Sequence, residues 1–125
     1  MDFSFPKKKR ICRHFDFDAV FQAKVFSADE NLVVNGRARE ERRSETRLGL
    51  SIGRVFGNAP QRNRMKRLIR EAFRLEQHRI PTGLDLIVRP RKGSDPTLAM
   101  IRQSLCRLAQ RIDRQLTQTP DQHET

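Results

Sequence analysis

Arg62-Asn63-Arg64-Met65-Lys66-Arg67-Leu68-Ile69-Arg70-Glu71-Ala72-Phe73-Arg74 is the stretch that decides how this chain folds and what it meets. Six of its thirteen residues are basic and one is acidic. Met65, Leu68, Ile69, Ala72 and Phe73 recur at i, i+3, i+4, i+7 and i+8, which predicts a helix with one stripe against a core. Asn63, Lys66, Arg67, Arg70 and Arg74 fall on the opposite side, with Arg62 and Arg64 on its shoulders. A merely solvated face mixes signs at i, i+4, whereas Lys66, Arg70 and Arg74 repeat one sign at that spacing. Glu71 and Glu76 offset only part of the repulsion. Arginine outnumbers lysine here, and its planar fork grips phosphate in a bidentate way. The outward face therefore suits a polyanion.

Immediately upstream, Asn58 and Gln61 have capping-box spacing, and Pro60 lies in the first turn, where a missing N–H costs little. The helix N-terminus adds partial positive charge where Arg62 begins. Thr46 to Val55 predicts the clearest strand, with Leu48, Leu50 and Ile52 on one face and Gly49, Ser51 and Gly53 on the other. That second face is nearly bare backbone, open to a bulky visitor. Beyond the helix, Pro81 and Gly83 end the segment and Leu84 to Arg89 reads as a buried strand. Two strands flanking a helix are expected to be parallel neighbours, with a right-handed crossover by the general rule.

Further out, residues 1–13 form a basic arm, and Asp16 is expected to cap a short helix in which Phe17, Val20 and Phe21 share a face. Lys24 to Ala28 and Asn31 to Arg37 are predicted strands. Arg37 to Arg47, with five Arg, three Glu and no large apolar residue, reads as a mobile hairpin loop. Asp95 and Pro96 are expected to open a last helix whose seam is Leu98, Ile101, Leu105, Leu108, Ile112 and Leu116. Residues 14–116 make one domain, and residues 117–125 form a disordered polar tail. The predicted class is α+β: a small single domain of order αβββαβα, with a mixed sheet of about four strands packed with three helices.

The 125 residues carry a formal charge of +11, and the pI is about 11.1. No Lys or Arg lies beyond Leu116, so the folded part is nearer +13, with 26 basic residues against 13 acidic ones. Such a balance calls for an anionic partner. No apolar run approaches a membrane span and the N-terminus lacks a secretory core, so no membrane partner is expected. Cys12 and Cys106 are far apart and lack a second ligand at metal spacing, as expected of reduced thiols in the cytosol. Pro6-Lys7-Lys8-Lys9-Arg10 matches a nuclear-import pattern, but a basic arm on RNA phosphates or in solvent fits it better.

Nothing marks a catalytic centre. His14, His78 and His123 are isolated, no carboxylate pair is set out for Mg²⁺, and Gly49, Gly53 and Gly57 lack P-loop or dinucleotide spacing. The pattern reads as a binder. Gly57-Asn58-Ala59, then Arg62-Asn63-Arg64, then Lys66-Arg67-Leu68-Ile69-Arg70-Glu71-Ala72-Phe73-Arg74 resembles the signature of the bacterial ribonuclease P protein subunit. Arg47-Leu48-Gly49-Leu50-Ser51-Ile52 resembles the strand before that signature, and Asp16-Phe17 with Val20-Phe21 resembles the family's first helix. The likeness spans roughly residues 5 to 114.

The resemblance implies a fold like the second domain of ribosomal protein S5, with a left-handed βαβ crossover in place of the generic right-handed one. It also implies a cytoplasmic bacterial ribonucleoprotein that removes the 5′ leader from precursor tRNA. There the catalytic RNA and its Mg²⁺ ions do the chemistry, and no further protein partner is required. Carried over, Arg62, Asn63, Arg64, Lys66, Arg67 and Arg70 contact the catalytic RNA, with Arg74 extending the contact. Phe17 and Phe21 face the single-stranded leader, with Arg54, Lys24, Lys7, Lys8, Lys9 and Arg10 as phosphate contacts around the same cleft. Phe17 and Phe21 are equally consistent with plain core. Asn35 stands where many members carry an aromatic, and the chain lacks Tyr and Trp, which turns attention to Phe5, Phe15 and Phe26. The rival readings are a ribosomal RNA-binding protein and a self-sufficient ribonuclease.

Overall fold

A computed structural model describes residues 9–11 and 13–123. Along the chain run α1 (His14–Gln22), β1 (Val25–Ala28), β2 (Leu32–Ala38), β3 (Arg47–Leu50), α2 (Ala59–Glu76), β4 (Leu84–Pro90) and α3 (Leu98–His123). The order is the expected αβββαβα, and one mixed sheet runs β1-β2-β4-β3. β1–β2 and β2–β4 are antiparallel, while β3 and β4 are the anticipated parallel pair.

β4 takes a central place because Leu84, Leu86, Ile87 and Val88 are buried on both its faces. That placement corrects the expected hairpin between β2 and β3. β4 lies between them, so residues 39–46 cross its end instead of turning back. This loop is tied down: Gly83 accepts from the Arg39 N–H at 2.8 Å and donates to the Ser44 carbonyl at 2.8 Å. Thr46 adds a hydroxyl bond to the Pro81 carbonyl at 2.5 Å, and Arg42 pairs with Asp113. Gly83 has φ +76°, and a Cβ there would meet the Arg42 backbone at 2.3 Å, so a side chain is excluded twice over.

β3 is also shorter than predicted. Ser51 still donates to the Val88 carbonyl, but the chain then turns, with the Phe56 N–H closing onto Gly53. α1 has Arg13 as N-cap without a side-chain bond, and Asp16 spends its carboxylate elsewhere. At α3 the cap is Thr97, whose hydroxyl accepts from the Met100 N–H at 3.2 Å, with Asp95 and Pro96 ahead of it. The helix continues past Leu116 to His123 where disorder was expected. Within the extension the Thr117 hydroxyl bonds back to the Asp113 carbonyl at 2.8 Å.

The main core lies between the sheet and α2/α3. Leu32, Val34, Leu48, Leu84, Leu86 and Val88 meet Met65, Ile69, Phe73, Ile101, Leu105 and Ile112. Among the described residues, the other sheet face carries α1 and a small cluster of Ile11, Val20 and Ile87 with Phe17.

Candidate nucleic-acid interface

α2 starts as the sequence dictates. Asn58 Oδ1 accepts from the Gln61 N–H at 3.0 Å, and Gln61 Oε1 accepts from the Asn58 N–H at 2.8 Å. Met65, Ile69, Ala72 and Phe73 are buried, and Leu68 is half-buried. That anchoring fixes the outward face. Asn63, Arg64, Arg67 and Arg70 are exposed, while Arg62, Lys66 and Arg74 are half-buried. No side-chain partner among the described residues engages Arg62, Lys66, Arg67 or Arg70. Arg64 reaches Asp95 at 3.0 Å, with both groups largely in solvent. Arg74 forms a fork on Glu71 at 2.7 and 2.9 Å, a hydrogen bond that raises the guanidinium pKa and lowers that of the carboxyl. Glu76 does not serve this ridge. It turns into α3, where Arg102 holds it at 2.5 Å and Cys106 donates to it.

Arg10 belongs to this ridge, not to the leader side where it was expected. The Ile11 N–H donates to the Leu48 carbonyl at 2.9 Å, which adds the arm to the edge of β3 beside α2. Arg10, Arg64, Arg67, Arg70 and Arg74 then surround a concavity of about 570 Å³ floored by Leu68. The same pairing draws Lys9 to Gln77 at 2.5 Å and Glu45 at 3.6 Å. Lys7 and Lys8 lie outside the described residues.

The α1 side of the sheet is organised in cross-strand rows. One row is ionic: Asp85 stands opposite Arg37 on β2 and Arg47 on β3. Buried Asp85 takes both Arg47 bonds at 2.8 Å and Arg37 at 3.0 Å, and Asp16 adds contacts to both arginines. Burial pushes the Asp85 carboxyl up, but the bonds from Arg47 and Arg37 outweigh it and leave its pKa lowered. The next row is Phe26, Asn35, Ile87 and Gly49. Gly49 is not open to a visitor, because a Cβ there would lie 2.9 Å from the Phe17 ring and 3.2 Å from Ile11. Phe17 therefore serves chiefly as core.

Phe21 is 37% exposed and Phe26 58%. Phe26 thus supplies an open aromatic directly opposite Asn35, whereas Phe15 sits at the other end of α1 beside Arg37 and Arg39. Arg89 lies 5.7 Å from the Phe21 ring centroid and donates to Asn35 Oδ1 at 3.0 Å. Beside it, Ser51, Val55, Phe56, Arg91 and Lys92 line a concavity of about 430 Å³ without a carboxylate. Arg54 is exposed in the same loop, and Lys24 is exposed in a left-handed turn (φ 58°) after α1. Arg89, Arg91 and Lys92 were missed from the sequence. Their only signal was the run Arg89-Pro90-Arg91-Lys92 at the end of a buried strand.

Cys106 is no nucleophile: burial, then the Glu76 contact, pushes its thiol up to about 12. Among the described residues no group of three or more His, Cys, Asp or Glu is placed to hold a metal, and no helix is long and apolar enough to cross a membrane.

A capped helix presenting several cations without partners among the described residues and, across the sheet, a concavity with aromatic and basic groups define a small, strongly basic α+β protein. The family model described as Ribonuclease P matches residues 5–113. A ribonuclease P protein component from Brevibacillus brevis is 39% identical over 106 residues, covering 84% of this chain and 83% of that relative. The solved RNase P protein from Thermotoga maritima aligns with a TM-score of 0.73 at 33% identity, over 82% of this chain and 96% of that one. An RNase P protein from Staphylococcus aureus gives 0.70 at 31%, over 82% and 93%. The chain belongs to the ribonuclease P protein family, as a subunit of the ribonucleoprotein endoribonuclease of tRNA processing.

Proposed function

We propose that the α2 ridge docks on the catalytic RNA of ribonuclease P while the α1–sheet cleft holds the 5′ leader of precursor tRNA. The observation that carries this reading is the set of four cations, Arg62, Lys66, Arg67 and Arg70, without partners among the described residues, on a helix whose other side is locked in the core. Self-repulsion along that ridge is relieved when its cations neutralise RNA phosphates, which releases the counterions condensed on the RNA. Across the sheet, Phe21 and Phe26 offer π-faces on which bases of a single strand stack, and Arg54, Arg91 and Lys92 stand near for its phosphates.

Magnesium is assigned to the RNA. The acidic groups nearest the two surfaces, Glu71 and Asp95 at the ridge and Asp16 and Asp85 on the α1 side, are each already held by arginine, so they make poor ligands. The protein's part is to lower the repulsion between two RNAs and to keep the leader in register, in the cytoplasm of a bacterial cell.

The test is reconstitution with the cognate catalytic RNA at low Mg²⁺. Arg67→Ala with Arg70→Ala should weaken assembly and flatten the log K against log salt slope by roughly 0.7 to 0.9 per lost contact. Unchanged affinity and slope would leave the ridge as a solvated face only.

A further inference from the structure

On the α1 side of the sheet, Arg89 differs from its neighbours. Arg37 and Arg47 share Asp85 and Asp16, whereas Arg89 has no carboxylate partner among the described residues. It is half-buried, held by the Asn35 amide oxygen and the Phe21 ring. Its Nε is the one buried side-chain nitrogen or oxygen without an acceptor among the described residues. Nε itself is closed to an outside ligand, but a guanidinium half removed from water without a counter-charge is costly, and an anionic oxygen arriving at its terminal nitrogens supplies that charge. The Phe21 ring, 5.7 Å from the guanidinium carbon, adds a cation–π contact and places an aromatic beside the charge.

We propose that Arg89 is a specificity-determining residue of the leader cleft, where its guanidinium, positioned by Asn35 and Phe21, takes a phosphodiester oxygen of the single-stranded leader. The inference rests on the cleft being the leader site. A nucleic-acid strand fits better than an acidic peptide because cations and aromatics alternate across this face. Phe26 stands opposite Asn35, and Arg91 and Lys92 line the concavity that Arg89 borders. Asn35, which accepts from Arg89 at 3.0 Å, thus acts through Arg89 as a positioning residue.

The experiment uses the reconstituted holoenzyme with leader-bearing precursor tRNA and mature tRNA as paired ligands, at several salt concentrations. Arg89→Met keeps the apolar stem and removes the charge. It should weaken leader-bearing precursor on the order of tenfold and leave mature tRNA unchanged. The leader-dependent salt slope should flatten by about 0.7. Arg89→Lys should restore the slope but not the full affinity, because an ammonium cannot reproduce the planar fork of a guanidinium. Thermal unfolding of each variant keeps folding separate from binding, and should Arg89→Met fail to fold, the lysine variant carries the same comparison. A wild-type leader preference that survives both substitutions, or an equal loss on both ligands, overturns the assignment of Arg89. No leader preference in the wild type itself would instead overturn the cleft's proposed role.

Discussion

Arg47 and Arg70 are the same residue type in the same small basic protein, and the structure uses them in opposite ways. Arg47 lies in a cross-strand row with Asp85 and Arg37, forked at 2.8 Å onto a carboxylate with 1% side-chain exposure. Arg70 stands on a helix with a buried opposite face and has no partner among the described residues. The first arginine is part of the architecture, and the second has no part in it among the described residues. A charge count cannot separate the two populations; the location of the nearest carboxylate does.

The largest effect should come from breaking the architectural set. Asp85→Asn leaves Arg37 and Arg47 around a neutral amide and should cost about 3 kcal/mol in urea unfolding, at the lower end for a broken buried pair because both arginines reach solvent. Alanine at Arg67 should leave urea stability nearly untouched. Equal stability losses at Asp85 and Arg67 would erase the distinction. Acid should act on the same side of the comparison. Asp29, held by Ser104 and Arg107 against its burial, is lowered from 3.8 to about 2, and Asp85 and Glu76 are lowered too. A folded pKa below the unfolded one means the unfolded chain binds more protons, so this stability is present above about pH 4 and lost as pH falls toward 2. A stability profile flat across that window would contradict these pairings.

A smaller effect should divide the two phenylalanines of α1. Phe17 lies over Gly49 and Ile11, so Phe17→Ala should lower stability by about 2 kcal/mol, less than for a fully buried ring, and weaken both tRNA ligands only through folding. Phe21→Ala removes an exposed ring and the cation–π support of Arg89. It should raise KM for leader-bearing precursor several-fold, in line with roughly 1–3 kcal/mol per stacked base, with little loss of stability. The reverse pattern would exchange their roles.

What the sequence made legible follows from period and local chemistry. α2, its capping box, its core stripe and its ridge are all set by residues within a few positions of one another. So are the element order and the parallel pairing of strands that flank a helix. What failed was long-range. No local signal says that β4 inserts between β2 and β3, and so none says that Asp85 meets arginines 48 and 38 residues away. For the same reason Arg10, called a leader contact by its place in the basic run, moves to the ridge once the arm pairs with β3. Arg89 stayed hidden because its meaning depends on Asn35 and Phe21, which come together only through the sheet and α1.

The smallest expected effect tests the comparison where its two sides meet, at Arg64. This ridge residue does have a carboxylate, Asp95 at 3.0 Å, yet the side chains are 54% and 83% exposed. By the distance criterion alone Arg64 would join the architectural set. Exposure assigns it to the binding set, since water screens the pair to a few tenths of a kcal/mol. Asp95→Ala should therefore leave urea stability within about 0.5 kcal/mol of the parent. Affinity for the catalytic RNA should rise about twofold at low salt, as Arg64 no longer exchanges one anion for another, and the gain should fade as salt rises. A clear loss of stability would place Arg64 with Arg47, and a loss of RNA affinity would mean that Asp95 orients the guanidinium for its partner.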